Sequence, residues 1–241
     1  MKDDLSQHSI SPEIVLRGDK AWQEGKYLIA SICKRPLLLG RSSSTRNIRE
    51  GLFNDLDQIG LSPIHGELEK DCCESDLLKI ASTFKAHDCD GIIASGGGKV
   101  LDAGKLLGKR IDMPCITVPL SAATCAGWTA LSNIYTSEGE FVKDEELNSY
   151  PKLLIFDHLL ISSAPSRTLA SGIGDALAKW YEASISCKGS NDGLVQQAVQ
   201  MSRVLRDQLL LDGYQALMNP RSHSWVRVIE GCGLTAGLIG G

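Results

Sequence analysis

A glycine-rich segment is the part of this sequence with the clearest chemical potential. Residues 95–100 read Ser-Gly-Gly-Gly-Lys-Val, follow an apolar run and open a stretch with helical patterning. Glycines let a backbone approach a ligand closely, and the first turn of a helix offers unpaired N–H groups and the positive end of the helix dipole. Together with the cation of Lys99, these groups predict a site for a diphosphate.

Two familiar phosphate-binding motifs do not fit this segment. Leu101 stands where the last glycine of a Gly-x-Gly-x-x-Gly motif belongs. Ile93 stands where a Walker A loop begins with glycine, and Val100 follows the lysine. A plain glycine-rich turn between a strand and a helix is therefore the alternative at this point.

A second polar segment, residues 41–46, reads Arg-Ser-Ser-Ser-Thr-Arg and follows the apolar run Pro-Leu-Leu-Leu-Gly. In a nucleotide-binding sheet, the end of a neighbouring strand contacts the adenosine ribose. An acidic residue there binds the ribose 2′-hydroxyl, whereas Arg41 suits a 2′-phosphate. The alternative is a solvated loop in which Thr45 caps the next helix.

Two later segments supply further candidates. Residues 118–132 carry no charge and many small side chains, so this stretch can lie against a flat ligand or form a buried connection. Asp175, Lys179 and Glu182 are spaced to share one face of a helix, which on its own favours an ordinary salt-bridged helix. The five histidines show no ligand spacing, and one carboxylate does not make a metal site.

The elements that must position these residues alternate between strands and helices. Strands are predicted at residues 36–40, 63–67, 91–95, 115–118 and 152–156, with helices at 45–59, 75–87 and 100–109 and a hairpin at 132–142. Pro63 confines the second of these strands to a sheet edge or a strand start. After Pro165 only helices are predicted, at 167–187, 194–218 and 226–238.

This order predicts an α/β nucleotide-binding domain with a Rossmann-like parallel sheet at residues 1–163. An incomplete all-α domain follows at residues 164–241.

Composition narrows the class of protein. The chain has 241 residues, 43% of them hydrophobic, and a net charge of −4, which argues against a nucleic-acid surface. No apolar run approaches the roughly 20 residues of a membrane span, and the polar N-terminus lacks the pattern of a signal peptide. The eight cysteines form no Cys-x-x-Cys pair, so free thiols in a reducing cytoplasm are expected.

Taken in order, the motifs resemble one enzyme family over nearly the whole chain from about Leu37. They are the stretch at 96–105, Val118-Pro119, the stretches at 124–135 and 138–141, and Gly-Ile-Gly-Asp-Ala-Leu-Ala-Lys-Trp-Tyr-Glu-Ala at 172–183. This series resembles the iron-containing alcohol dehydrogenase superfamily, in its glycerol dehydrogenase-like branch with the hydroxycarboxylate dehydrogenases. The resemblance implies the fold shared with dehydroquinate synthase.

The resemblance also implies roles for individual residues. The implied dinucleotide contacts are Arg41, Gly96, Gly97, Gly98, Lys99, Asp102, Thr124, Thr129, Leu131 and Tyr135. Asp175 matches the aspartate that, with two histidines, holds a divalent metal, zinc or iron. Such a metal would lower the pKa of the substrate's alcohol oxygen and ease hydride transfer to the nicotinamide.

Three departures from the family pattern refine these expectations. Arg41 stands where glycerol dehydrogenases carry an aspartate, which slightly favours NADP over NAD. Cys125 stands where they place an aspartate that contacts glycerol, so this substrate position favours a small 2-oxo or 2-hydroxy acid, while Leu120 and Ala123 replace hydroxyl residues of the cofactor set. The two metal-binding histidines are missing, and the chain is expected to be truncated.

The expected function is therefore metal-dependent, NAD(P)-linked oxidoreduction of the CH–OH group of a small polyol or 2-hydroxy acid. No membrane or nucleic-acid partner is expected, and assembly as a homo-oligomer is left open. Two alternatives are a catalytically silent nucleotide-binding fragment and a lyase that resembles dehydroquinate synthase.

Overall fold

The computed structural model describes residues 9–240 and is built around a parallel sheet of six strands. In chain order these are β1 (Ile14–Gly18), β2 (Pro36–Gly40), β3 (Ile64–Glu67), β4 (Gly91–Gly96), β5 (Cys115–Pro119) and β8 (Leu153–Asp157). Their order across the sheet is β1-β8-β5-β4-β2-β3. Strands β2, β4, β5 and β8 are buried along their whole length, as expected for parallel strands covered on both faces.

The other elements surround this sheet. Strands β6 (Leu131–Tyr135) and β7 (Phe141–Glu146) form a separate antiparallel hairpin. The helices are α1 (Ala21–Ile32), α2 (Arg46–Gln58), α3 (Glu74–Ala86), α4 (Gly98–Ile111), α5 (His158–Ser162), α6 (Ser166–Ser186), α7 (Gly193–Met218), α8 (His223–Glu230) and α9 (Ala236–Ile239). None of the helices within residues 9–240 combines the length and apolarity that crossing a membrane requires.

The helices cover the sheet from opposite sides. Leu38 and Ile93 pack with Leu52 of α2 in one core, whereas their neighbours along the strands, Leu39 and Ala94, pack with residues of α3 and α4 in another. This follows from the alternation of side chains along a strand. The first core also contains α1, so α1 and α2 lie on one face and α3 and α4 on the other.

The topological switch point of the sheet, where the strand order reverses, lies between β2 and β4. These strands are paired, with Leu39 opposite Ala94, yet β2 continues into α2 on one face and β4 into α4 on the other. The two connections diverge at the carboxyl ends of the strands and leave a crevice between them. In open α/β sheets this switch point is where ligands bind.

The later helices pack against the end of β8. Phe156 shares a core with Leu169 of α6 and Leu205 of α7, and its ring lies so close to Gly233 that a Cβ at that glycine would overlap it. The last strand ends at Asp157, the short helix α5 follows directly, and the long helix α6 begins at Ser166, next to the predicted boundary. Because Phe156 contributes to the helical core, the division into domains at residue 163 stays a prediction.

The predicted layout of the sheet and hairpin is confirmed, and β3 lies at a sheet edge. Strand β1 and helices α1 and α5 are not predicted by the sequence patterns. The helix predicted at 226–238 begins earlier, at His223, and is interrupted by a π-helical turn at Gly231–Thr235. The predicted cap at Thr45 is wrong in its chemistry, because the hydroxyl donates to the Ser42 carbonyl and accepts no bond from a backbone amide of the helix.

Gly104 tests how closely α4 must approach β4. A Cβ at Gly104 would lie 2.5 Å from the Cβ of Ala94. Gly104→Val should therefore lower the free energy of unfolding by about 1–3 kcal/mol through overpacking, as measured by urea denaturation.

The matched control is Gly51→Ala on α2, where a Cβ would have no atom within 4 Å. This control should raise the free energy of unfolding by about 0.5–1 kcal/mol. Equal stability of the Gly104→Val variant and the wild type would contradict the close packing of α4 on the sheet.

Candidate functional site

The crevice at the switch point contains a cavity of about 190 Å³. Arg41, Ser42 and Thr45 line it from the end of β2, and residues 96–100 line it from the end of β4. The structure thus brings together the two polar segments that the sequence analysis singled out, although they are far apart in the chain.

The glycine-rich turn presents backbone rather than side chains to this cavity. Gly97 is the N-cap of α4 and accepts hydrogen bonds from the amides of Val100 and Leu101 at 3.0 and 3.1 Å. The amides of Gly98 and Lys99 have no acceptor within residues 9–240. A Cβ at Gly98 would lie 3.1 Å from Thr124. The turn therefore offers unpaired N–H groups at a helix N-terminus, which is the arrangement that binds phosphate.

The loop that follows β2 is held by an arginine that the sequence analysis missed. The buried Arg49 donates to the Ser42 carbonyl at 2.9 Å and to the Thr45 hydroxyl at 2.6 Å, and it pairs with Glu67. A Cβ at Gly40 would overlap the Arg49 side chain, so only glycine lets the guanidinium group cross the end of β2. The position of Arg49 beside Leu52 and Leu56 on one helix face was the available signal.

The two cations that line the cavity, Arg41 and Lys99, are each held by a protein partner. Arg41 is exposed and donates through Nε to the Lys70 carbonyl at 2.6 Å, which leaves its terminal nitrogens for other acceptors. Lys99 pairs with the buried carboxylate of Asp71, and its ammonium lies 5.9 Å from the centre of the Tyr135 ring. The Lys99 side chain remains 49% exposed, so it can still meet an anion.

Asp71 is fixed in turn by its own backbone contact, because it accepts a hydrogen bond from the Cys72 amide at 2.8 Å. The pKa of Tyr135 is raised by burial and, to a smaller extent, by the carboxylates of Asp102 and Asp71. No local feature of the sequence pointed to Asp71, because its partner Lys99 lies 28 residues later in the chain.

The residues predicted to line the nicotinamide lie beside α4. Tyr135 lies beside Lys99, whereas Thr129 and Leu131 lie beside Lys105, about 9 Å further along the helix axis. Leu131 and Tyr135 are the first and last residues of β6, which packs on α4, and Thr129 lies two residues before this strand.

Asp102 occupies a different environment from the other predicted cofactor contacts. Its carboxylate is buried and lies 3.1 Å from the Lys105 ammonium. Burial raises the pKa of Asp102, and Lys105 opposes this shift. Asp102 does not line the cavity at residues 96–100, so its role as a cofactor contact stays a prediction.

The uncharged loop at residues 120–130 connects this site to α6. Thr124 contacts Gly98 on one side, and on the other side Gly172 of α6 approaches so closely that a Cβ would overlap the Ala122 carbonyl. Asp175 follows one helical turn after Gly172. Burial raises the pKa of Cys125, while Lys179 lowers it and Asp175 raises it. The substrate candidate and the metal candidate therefore lie within electrostatic reach of each other.

The described residues do not fit a complete metal centre. Asp175 is exposed at the level of the whole residue, but its carboxyl group is partly buried. This burial raises the pKa of the carboxyl, and Lys179 opposes the shift. Between residues 9 and 240, no group of three histidine, cysteine, aspartate or glutamate side chains is placed to hold a metal ion. A zinc site needs three or four protein ligands, so Asp175 as a metal ligand stays a prediction.

Comparisons with known proteins agree with the motifs. The family model described as iron-containing alcohol dehydrogenase matches residues 12–158, more than half of the chain. An oxidoreductase of Synechocystis sp. is 40% identical over 98% of this chain and 61% of its own length. Hydroxycarboxylate dehydrogenase A of Escherichia coli is 33% identical over 70% of this chain and 48% of its own length.

A solved structure shows the same fold. The crystal structure of glycerol dehydrogenase from Schizosaccharomyces pombe matches 97% of this chain and 61% of that chain, with a TM-score of 0.84 at 24% identity. The present chain thus spans about half to three fifths of the length of these proteins. The resemblance that the motifs predicted is confirmed, and the chain belongs to the iron-containing alcohol dehydrogenase family.

Proposed function

We propose that this chain binds a nicotinamide dinucleotide in the crevice between β2 and β4, with NADP(H) slightly preferred over NAD(H). The observation that carries the proposal is the first turn of α4, where the amides of Gly98 and Lys99 have no acceptor among residues 9–240 and both residues line a cavity shared with Arg41. Unpaired amides, a helix dipole and two cations together suit a diphosphate with an additional phosphate group nearby.

In the proposed binding mode, each part of the ligand meets a different element. The diphosphate binds at the start of α4, and a ribose 2′-phosphate meets Arg41 at the end of β2. The nicotinamide extends along β6 towards Thr129 and Leu131, past Tyr135 beside the glycine turn. In this pose the dinucleotide crosses the carboxyl edge of the sheet, as in other doubly wound folds.

The proposed reaction is hydride transfer between this dinucleotide and the CH–OH group of a small polyol or 2-hydroxy acid. Family membership supports the reaction class. Burial raises the pKa of Cys125 and keeps its thiol neutral at pH 7. A neutral group there does not repel a substrate carboxylate, as an aspartate would, which favours the hydroxy acid.

The divalent metal that the family implies, zinc or iron, requires ligands besides Asp175. The reducing cytoplasm is the proposed compartment, because the eight cysteines are free thiols and seven of them are buried.

A nucleotide-binding chain without turnover is the second candidate, and the incomplete ligand set around Asp175 favours it. A dehydrogenase assay with NAD⁺ and NADP⁺, zinc or ferrous ions, and glycerol or 2-hydroxy acids separates the two candidates. The enzyme proposal expects reduction of the dinucleotide with at least one substrate. Dinucleotide binding without turnover under every condition would select the silent protein instead.

Arg41 should determine the preference for the 2′-phosphate. Isothermal titration calorimetry of the wild type should show NADPH binding more tightly than NADH. Arg41→Ala should weaken NADPH binding by about 10–100-fold, the range of a charge-assisted hydrogen bond, and leave NADH binding nearly unchanged.

Arg46→Ala is the matched control for Arg41, since Arg46 is exposed at the start of α2 and does not line the cavity. It removes the same charge and should preserve the preference. An equal loss in both variants would mean that general charge, not position, attracts the ligand, and tighter binding of NADH by the wild type would reverse the assignment of Arg41.

Lys99 should act on the diphosphate that both dinucleotides share. Lys99→Ala should weaken NADPH and NADH binding by the same factor, about tenfold, because one charge-assisted contact is lost. The variant also leaves the buried carboxylate of Asp71 without its cation, and that charge would repel the ligand.

The double variant Lys99→Ala/Asp71→Asn separates the two effects. It should bind both dinucleotides more weakly than the wild type but more tightly than Lys99→Ala. Full recovery of affinity in the double variant would show that Lys99 only masks Asp71, and unchanged affinity in Lys99→Ala would count against the diphosphate assignment.

A further inference from the structure

Lys105 is a buried cation that the proposed chemistry does not use. It lies on α4 with only 1% of its side chain exposed. Its ammonium donates to the Thr129 carbonyl at 3.0 Å and to the Leu131 carbonyl, and it lies 3.3 Å from the Thr129 hydroxyl and 3.1 Å from Asp102. A lysine ammonium has three N–H donors, so these contacts use its full capacity.

The Leu131 carbonyl lies at the first residue of β6, and the Thr129 carbonyl lies two residues before it. They flank Ala130, and a single ammonium group therefore holds the backbone on both sides of one residue. The Ser132 hydroxyl adds a second link to α4 by donating to the Asp102 carbonyl at 3.0 Å. The backbone of residues 129–132 is thereby tied to the same helix whose first turn offers the unpaired amides.

A buried ammonium is an expensive way to hold a helix against a strand. Burying a charge costs free energy that its partners only partly return, and an apolar side chain of similar volume often packs as well. Stability alone therefore does not account for this ion pair, and fixing a geometry is the role left to it. Its place on α4, between the glycine turn and β6, indicates which geometry is fixed.

We infer that Lys105 is a positioning residue: it sets the distance between the diphosphate-binding turn and the segment that lines the nicotinamide. The inference rests on the proposed function. Lys105 does not touch the dinucleotide. It acts through the carbonyls of Thr129 and Leu131, whose residues are the proposed nicotinamide contacts.

The test compares a ligand that contains nicotinamide with one that lacks it. NADP⁺ and 2′-phospho-ADP-ribose share the diphosphate and the 2′-phosphate, so the ratio of their affinities for the 241-residue chain measures the contribution of the nicotinamide. In Lys105→Met, calorimetry should show that this ratio falls at least about tenfold, equivalent to ~1.4 kcal/mol. The affinity for 2′-phospho-ADP-ribose should stay within about threefold, a change worth ~0.7 kcal/mol.

Lys109→Met is the matched control. Lys109 follows Lys105 by one turn and also links α4 to the hairpin, through the Glu146 carbonyl at 2.7 Å and Glu145 at 2.9 Å. Its acceptors belong to the end of β7 and lie outside the nicotinamide segment. The control should therefore leave the affinity ratio unchanged.

A second comparison covers the case in which Lys105→Met does not fold because Asp102 is left buried without its cation. The double variant Lys105→Met/Asp102→Asn removes both charges and is measured against Asp102→Asn alone. The affinity ratio should again be lower, by at least about tenfold, in the protein without Lys105.

The outcomes separate the inference from the function on which it rests. Equal losses for both ligands, or no loss for either, would overturn the positioning role while dinucleotide binding stands. If the wild type binds neither ligand, the proposed function fails and the inference fails with it. Enhanced nicotinamide fluorescence of bound NADPH in the wild type, absent in Lys105→Met, would support the positioning role.

Discussion

The proposed ligand site depends on the amides of Gly98 and Lys99 at the first turn of α4, which have no acceptor in the described part of the chain. The strand order switches between β2 and β4, so that α2 and α4 pack on opposite faces of the sheet. Neither helix covers the carboxyl ends of these two strands. Gly97 and Gly98 keep side chains out of the opening, and Gly104 lets the same helix lie close against β4. An N-terminus that cannot satisfy its own donors is thus held in a fixed place, ready for an anion.

Each cation around this turn is held by a partner of a different kind. Arg41 donates to a backbone carbonyl, Lys99 pairs with the buried Asp71, and Lys105 contacts two carbonyls and Asp102. Exposure decides what each cation can still do. Arg41 and Lys99 reach the cavity and can bind an added anion, whereas Lys105 is enclosed and can only hold the protein's own groups in place.

Much of the architecture could be predicted from local pattern, and the reason is physical. Buried parallel strands such as β2 and β4 are continuous apolar runs, and Gly96, Gly97 and Gly98 mark the turn that follows one of them. Strand β1 was not predicted, because its side chains are only partly buried and one of them is charged. Sequence patterns gave no role to Arg49, Asp71 or Lys105 for another reason. The partner of each residue is distant in sequence, so no window of neighbouring residues contains it.

The proposed substrate position lies on a loop that is fixed at points other than Cys125. Close approaches of two glycines fix the loop at residues 120–130, with Gly98 against the Thr124 side chain and Gly172 against the Ala122 carbonyl. Neither contact involves the side chain of Cys125, which lies between them and is buried near Asp175. Within the proposed function, the residue at position 125 therefore sets the charge offered to a substrate, while the contacts at Gly98 and Gly172 fix the path of the loop.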